Sequence, residues 1–89
     1  METDYNLQKI ESLTNEIYDD IKAIVPGNYE YEDLLGKLNT IKYKHQLLGN
    51  HLFSLCFKRD MTDHLNKYNM CEEMLLEIET NLKKMKENL

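Results

Sequence analysis

Apolar residues recur at intervals of three and four along three stretches of this chain. The most regular run is Tyr31, Leu34, Leu38, Ile41, His45, Leu48, Leu52 and Leu55, apolar at every position except His45. A stripe repeating every 3.5 residues keeps one narrow helix face turned toward a neighbouring helix, as a coiled-coil seam requires. A second run follows at Met61, His64, Tyr68, Cys71, Leu75, Ile78, Leu82, Met85 and Leu89. An earlier one comprises Leu7, Ile10, Thr14, Ile17, Ile21 and Ile24, with Leu13 beside it. The pattern predicts helices over about 4–25, 29–57 and 61–87. The fold class is all-α: three long amphipathic helices forming a helical hairpin or coiled-coil bundle, completed by partner chains.

Local signals set the boundaries. Thr3 or Asp4 is placed to cap the first helix, and Pro26-Gly27-Asn28 ends it, because Pro cannot continue a helix and Gly tolerates the turn. Glu30, Glu32 and Asp33 crowd the start of the second helix, where negative charge suits the helix dipole, and Lys58 and Arg59 follow its far end. Continuing the second stripe in register would place Arg59, Thr62 and Asn66 in the seam. This phase shift predicts a break around 58–62 with Asp60 capping the third helix. No Gly or Pro enforces that break, so a single long helix with a register stutter is the alternative. Gly36 and Gly49 each cost a helix about 1 kcal/mol relative to Ala. They read as surface positions, the alternative being close approach of another backbone. The second and third helices would each be roughly 40 Å long.

Eighty-nine residues make one domain, whose own core supplies a margin of about 3–5 kcal/mol. Partner chains would relieve that shortage. With 42% hydrophobic and 30% charged residues the chain is not a disordered tail, and one Pro with three Gly is too few for a turn-rich β fold. A net charge of -5 speaks against direct nucleic-acid binding, which needs a basic face. The charge is uneven: residues 1–33 hold nine acids and two bases, whereas residues 34–70 hold six bases and two acids. Antiparallel packing of these segments, within the chain or across an assembly, would pair them. The acidic opening residues and the lack of an apolar run near ~20 residues predict no leader and no membrane span. An intracellular location follows as the expectation, with Cys56 and Cys71 as free thiols.

Chemistry finds little support. His45, His51 and His64 lie six and thirteen residues apart, so no pair shares a helix face, and the two cysteines have no second ligand at metal-site spacing. We expect no metal and no cofactor. Cys56 and Cys71 could oppose each other across a hairpin, but packing within or beside the seam is the simpler role. His45 and His64 interrupt apolar stripes, either as pH-sensitive contacts or as half-buried rings bonded to a neighbour, and we favour the latter. Asp19-Asp20 and Glu72-Glu73 are adjacent, so each pair diverges on a helix. No nucleophile–base arrangement, phosphate-cradling Gly loop or His-Glu-x-x-His occurs. The chain is therefore read as non-enzymatic. Met61, Met70, Met74 and Met85 lie in or beside the third stripe, and Tyr29, Tyr31, Tyr43 and Tyr68 could rim a protein interface.

The segment Leu34-Leu35-x-x-Leu38-x-x-Ile41-Lys42-x-x-x-Gln46-x-Leu48-x-x-x-Leu52 resembles the second helix of the Ska2 family, small subunits of the spindle and kinetochore-associated complex. The order of helices is similar over nearly the whole chain, with identities concentrated in about twenty positions, mostly seam leucines; Lys42 and Gln46 are the matches off the strict seam. The link between the first two helices is shorter here, and a longer C-terminal tail is lacking. The resemblance implies a scaffold intertwined with two sister subunits at the spindle and kinetochore, with microtubule contact made mainly by the sisters. A second resemblance, of Leu38-Asn39-x-Ile41-Lys42-x-x-x-Gln46 to the small Swi5-type recombination mediators, covers less of the chain.

The sequence thus leads to a structural coiled-coil subunit of a hetero-oligomer, with a homodimer possible when the chain is alone. The alternatives are a self-contained helical binding module or a Swi5-like accessory factor. Its partner interface is expected at Ile10, Ile17, Ile21, Ile24, Leu34, Leu38, Ile41, Leu48, Leu52, Leu55, Tyr68, Leu75, Ile78, Leu82 and Met85. On that reading Leu48→Asp abolishes partner binding in a pull-down, and Lys44→Asp has little effect.

Overall fold

The computed structural model describes residues 2–24, 27 and 29–88, with side chains from Asn6 onward. Three helices are present: α1 (Glu2–Lys22), α2 (Tyr31–Leu55) and α3 (Thr62–Glu87). They run up, down and up. Lys44 of α2 reaches Glu16 and Asp20 of α1, Lys42 of α2 reaches Glu79 of α3, and His64 of α3 lies beside Glu11 of α1. The result is a rod of 50 × 16 × 16 Å.

The three stripes close on one another along the rod axis. Ile10, Ile17, Leu48 and Leu52 have no exposed surface, and Ile21, Leu34, Leu38, Ile41, Leu55, Cys71, Leu75 and Leu82 are buried with them. Ile24, Tyr68, Ile78 and Met85 pack half-buried against this core. Every residue expected to face a partner chain therefore lies in or against the chain's own core. The physical reason is the matched length and phase of the stripes: three narrow faces meeting on one axis shield each other without outside help. The two buried polar seam residues are satisfied. Thr14 donates its hydroxyl to the Ile10 carbonyl at 2.7 Å, and His45 bonds the Tyr68 carbonyl.

The boundaries shift in instructive ways. Thr3 and Asp4 lie inside α1 instead of preceding it. Helix α1 ends at Lys22, and Val25, Pro26 and Asn28 lie outside the described residues; Gly27 takes φ +88°, a conformation that side chains disfavour. The second helix stops at Leu55, two residues before the predicted end. Lys58 and Arg59 both donate backbone N–H to the Leu55 carbonyl, closing the helix with a tight turn. Helices α2 and α3 are separate, and the break coincides with the phase shift. Met61, 3% exposed, enters the core at the new phase. Asp60 stands one residue before the N-cap position, where its carboxylate accepts the Thr62 backbone N–H at 3.0 Å and the Thr62 hydroxyl.

The two helical glycines differ. Around Gly36 an added Cβ would meet nothing, as expected of a surface position. Gly49 is buried: an added Cβ would come within 2.9 Å of the Tyr68 hydroxyl and 3.2 Å of its ring. The close approach there is by an aromatic side chain of α3, not by a backbone.

Two outcomes follow. Gly36→Ala should stabilise the fold by about 1 kcal/mol, whereas Gly49→Ala should give no gain or a loss, because Tyr68 must move; denaturant melts at low chain concentration distinguish them. The bonds from Thr62 hold the Asp60 carboxyl below its ordinary pKa. Its contribution is complete above the unfolded value of about 3.9 and disappears as pH falls through the lower folded value. Asp60→Asn, which keeps an acceptor, should remove that part of the acid dependence in pH-jump denaturation.

Candidate protein-interaction face

Closing the core uses one side of α2 and leaves the opposite side bare. Along it Tyr43 is 63% exposed, Phe53 55% and Leu47 36%, and Phe57, in the turn after the helix, is 89% exposed. The exposed residues of α2 from Tyr43 onward are otherwise Gln46, Asn50 and Ser54, so this face carries no charge. A solvated helix face is ordinarily charged, and several large apolar groups clustered on one face mark an interaction surface.

Aromatic contacts fix this face to the core. The Phe53 ring meets the Tyr68 ring edge-on at 6.4 Å between centroids, and the other side of the packing places Tyr68 parallel to His45 at 4.0 Å. His45 Nε2 lies 3.1 Å from the Tyr68 carbonyl oxygen. A carbonyl only accepts, so the imidazole proton sits on Nε2. Burial, then the Glu72 carboxylate, pushes the Tyr68 hydroxyl pKa up. Alongside, an open groove of about 520 Å³ runs between α2 and α3. Tyr43, Gln46 and Leu76 form its rim, and the Lys42–Glu79 ion pair, 3.3 Å apart, crosses it.

The opposite flank of α2 is electrostatic. The Lys44 ammonium donates to Glu16 and Asp20, each at 2.8 Å. Both hydrogen bonds, the Asp20 bond foremost, raise the Lys44 pKa. Through these two bonds Lys44 joins the basic middle segment to the acidic first one. An exposed pair of this kind contributes roughly 0.2–1 kcal/mol, and an aspartate at 44 would oppose two acids.

The remaining candidates for chemistry make the following contacts. His64 Nε2 lies 3.8 Å from a Glu11 carboxylate oxygen. Both cysteines are free. Cys56 donates weakly to the Phe53 carbonyl at 3.3 Å, and burial raises the pKa of the Cys71 thiol, which disfavours the reactive thiolate. Among the described residues no group of three or more His, Cys, Asp or Glu is placed to hold a metal ion, and no helix is long and apolar enough to cross a membrane. Sequence reasoning identified Tyr43 as a rim residue but missed Leu47, Phe53, Phe57 and Leu76. Their signal was available as large apolar residues left outside every core stripe.

Core and surface separate by substitution. Leu48→Asp should unfold the chain, since truncating a buried leucine alone costs about 2–5 kcal/mol against a margin of about 3–5 kcal/mol, and a buried charge adds to it. Phe57→Asp should leave the melting transition within about 0.5 kcal/mol. Circular dichroism melts measure both, and loss of helix in the Phe57 variant would show that this side chain is not peripheral. No family model, curated protein or solved structure matches the chain.

Proposed function

We propose that this chain is a structural, non-catalytic subunit of a protein assembly, engaged through the surface of a rod whose core it completes by itself. The observation that carries the reading is the uncharged outer face of α2, on which Tyr43, Leu47, Phe53 and Phe57 stand exposed. Covering such groups gains apolar burial at little cost in desolvated charge. The groups that might have supported catalysis support the same reading, because His45, His64 and Cys71 already have packing or pairing roles.

The partners that suit this face are helical proteins presenting a complementary stripe. The resemblance to the Ska2 family makes a kinetochore–microtubule attachment complex the assembly to test first. Its seam leucines are those that the rod's own core requires. Of its two off-seam matches, Lys42 pairs with Glu79, and Gln46 lies exposed beside Tyr43. Such a partner would therefore add to the outside of the rod without opening it.

Affinity purification with mass spectrometry, run on the natural chain and on Phe53→Asp/Phe57→Asp, tests the proposal. Specific helical proteins should accompany the natural chain and be lost from the variant, with helix content unchanged by circular dichroism. Ska-type sister subunits among them would support the kinetochore reading; a recombinase or its mediator would support the Swi5-like one. A variant that keeps every partner would sink the assignment of this face.

A further inference from the structure

The outer side of α2 has a repeat of its own. Glu32, Gly36, Asn39, Tyr43, Gln46, Asn50, Phe53 and Phe57 follow at alternating intervals of four and three, and all are exposed. Between its first and last members this stripe carries no charge. The acids Glu30 and Glu32 stand at one end, and the bases Lys58 and Arg59 stand at the other.

We propose that this stripe is the interface of a twofold, antiparallel homodimer, so that the occupant of the face is a second copy of the chain. The inference rests on reading the outer face of α2 as the interaction surface, and it names what covers that surface. A twofold interface must be complementary to its own reversed image. Reversed about a point between Lys44 and His45, the stripe meets itself position by position. Gly36 falls opposite Phe53, Asn39 opposite Asn50, and Tyr43 opposite Gln46. Glu32 falls opposite Phe57, and the acids Glu30 and Glu32 at the start of α2 come toward Lys58 and Arg59 in the turn after it.

Each match has a physical consequence. Space around Gly36 is open, with nothing within 4 Å of an added Cβ, so an aromatic ring from the second copy can lie against the bare backbone. The paired asparagines can hydrogen-bond across the axis, and the Tyr43 hydroxyl can bond the Gln46 amide. The ends attract only in the antiparallel arrangement; a parallel one would set acids against acids and bases against bases. The available area is also appropriate. With 63%, 55% and 89% of Tyr43, Phe53 and Phe57 exposed, and roughly 200 Å² per aromatic side chain, about 400 Å² is bare on these rings. That is half of the roughly 800 Å² that each partner contributes to a standard interface, before Leu47 and the polar stripe residues are counted.

Sedimentation equilibrium on the full chain across the micromolar range tests the proposal. The natural chain should dimerise. Gly36→Leu should keep the helical fold, because the position is open within one chain, yet weaken dimerisation at least about tenfold by meeting Phe53 of the second copy. Glu30→Lys/Glu32→Lys and Lys58→Glu/Arg59→Glu should each weaken self-association at least about tenfold through like-charge repulsion. An equimolar mixture of the two should recover it as a heterodimer. A natural chain that stays monomeric, or a dimer indifferent to all three variants, would overturn the proposal. If that monomer still loses its partners on Phe53→Asp/Phe57→Asp, a different helical protein occupies the face and only the dimer is wrong; if neither assay responds, the interaction reading fails too.

Discussion

An apolar stripe that recurs every 3.5 residues stays on one face along the whole helix, so three such stripes of matched length can seal one another along a common axis. That constraint determines the rest of this molecule. It sets the up-down-up order, since short connections join antiparallel neighbours, and it gives the rod a length of 50 Å on a width of 16 Å. It also places the break between α2 and α3. The chain turns where the second stripe would otherwise drive Arg59 and Thr62 into the core, and Met61 begins the new phase buried. No helix-breaking residue is needed, because burial alone decides against continuing in register.

The same constraint explains how polar groups are tolerated inside. Thr14 returns its hydroxyl to its own helix, at the Ile10 carbonyl. His45 reaches across to the Tyr68 carbonyl while its ring stacks on the Tyr68 ring. A buried polar group without a partner would cost about 1–3 kcal/mol, a large share of the margin of so small a core. The buried Gly49 belongs to this arrangement: Tyr68 can stack on His45 only because no Cβ occupies the space beside its hydroxyl. One α3 tyrosine thus joins the interior of α2 to Phe53 on its surface.

Helix number, helix type and core membership were legible in the sequence because they depend on local periodicity, which needs no knowledge of the fold. What covers the stripes was not legible. Leu34, Leu38, Leu48 and Leu52 would look the same whether their neighbours came from this chain or another, since intrachain and interchain seams obey one spacing rule. Long-range pairings were also hidden. Nothing near Gly49 announces Tyr68, and nothing near Lys44 announces Glu16 and Asp20. The boundary errors are small and local: Asp60 acts one residue before the cap position, and α2 ends at Leu55 because the turn takes up Lys58 and Arg59. The outer face of α2 escaped notice for another reason. Its apolar members are separated by Asn and Gln, so it has the spacing of a seam without the leucines by which seams are recognised.

That mixed composition bears on how such a face works. On the proposed reading, a rod whose leucines are buried within the chain could associate reversibly through an outer face without opening its core. A leucine stripe on the outside would bind many amphipathic helices with little regard for register. Asn39, Gln46 and Asn50 give up affinity but accept only alignments that pair them, as polar residues inside coiled-coil seams do. In the proposed dimer, charges at the two ends would discriminate orientation, and a glycine opposite an aromatic ring would discriminate register more sharply than two residues of equal size. The core of this protein therefore supplies stability with little information about partners, whereas on the proposed reading its outer stripe would supply the selectivity with little need for strength.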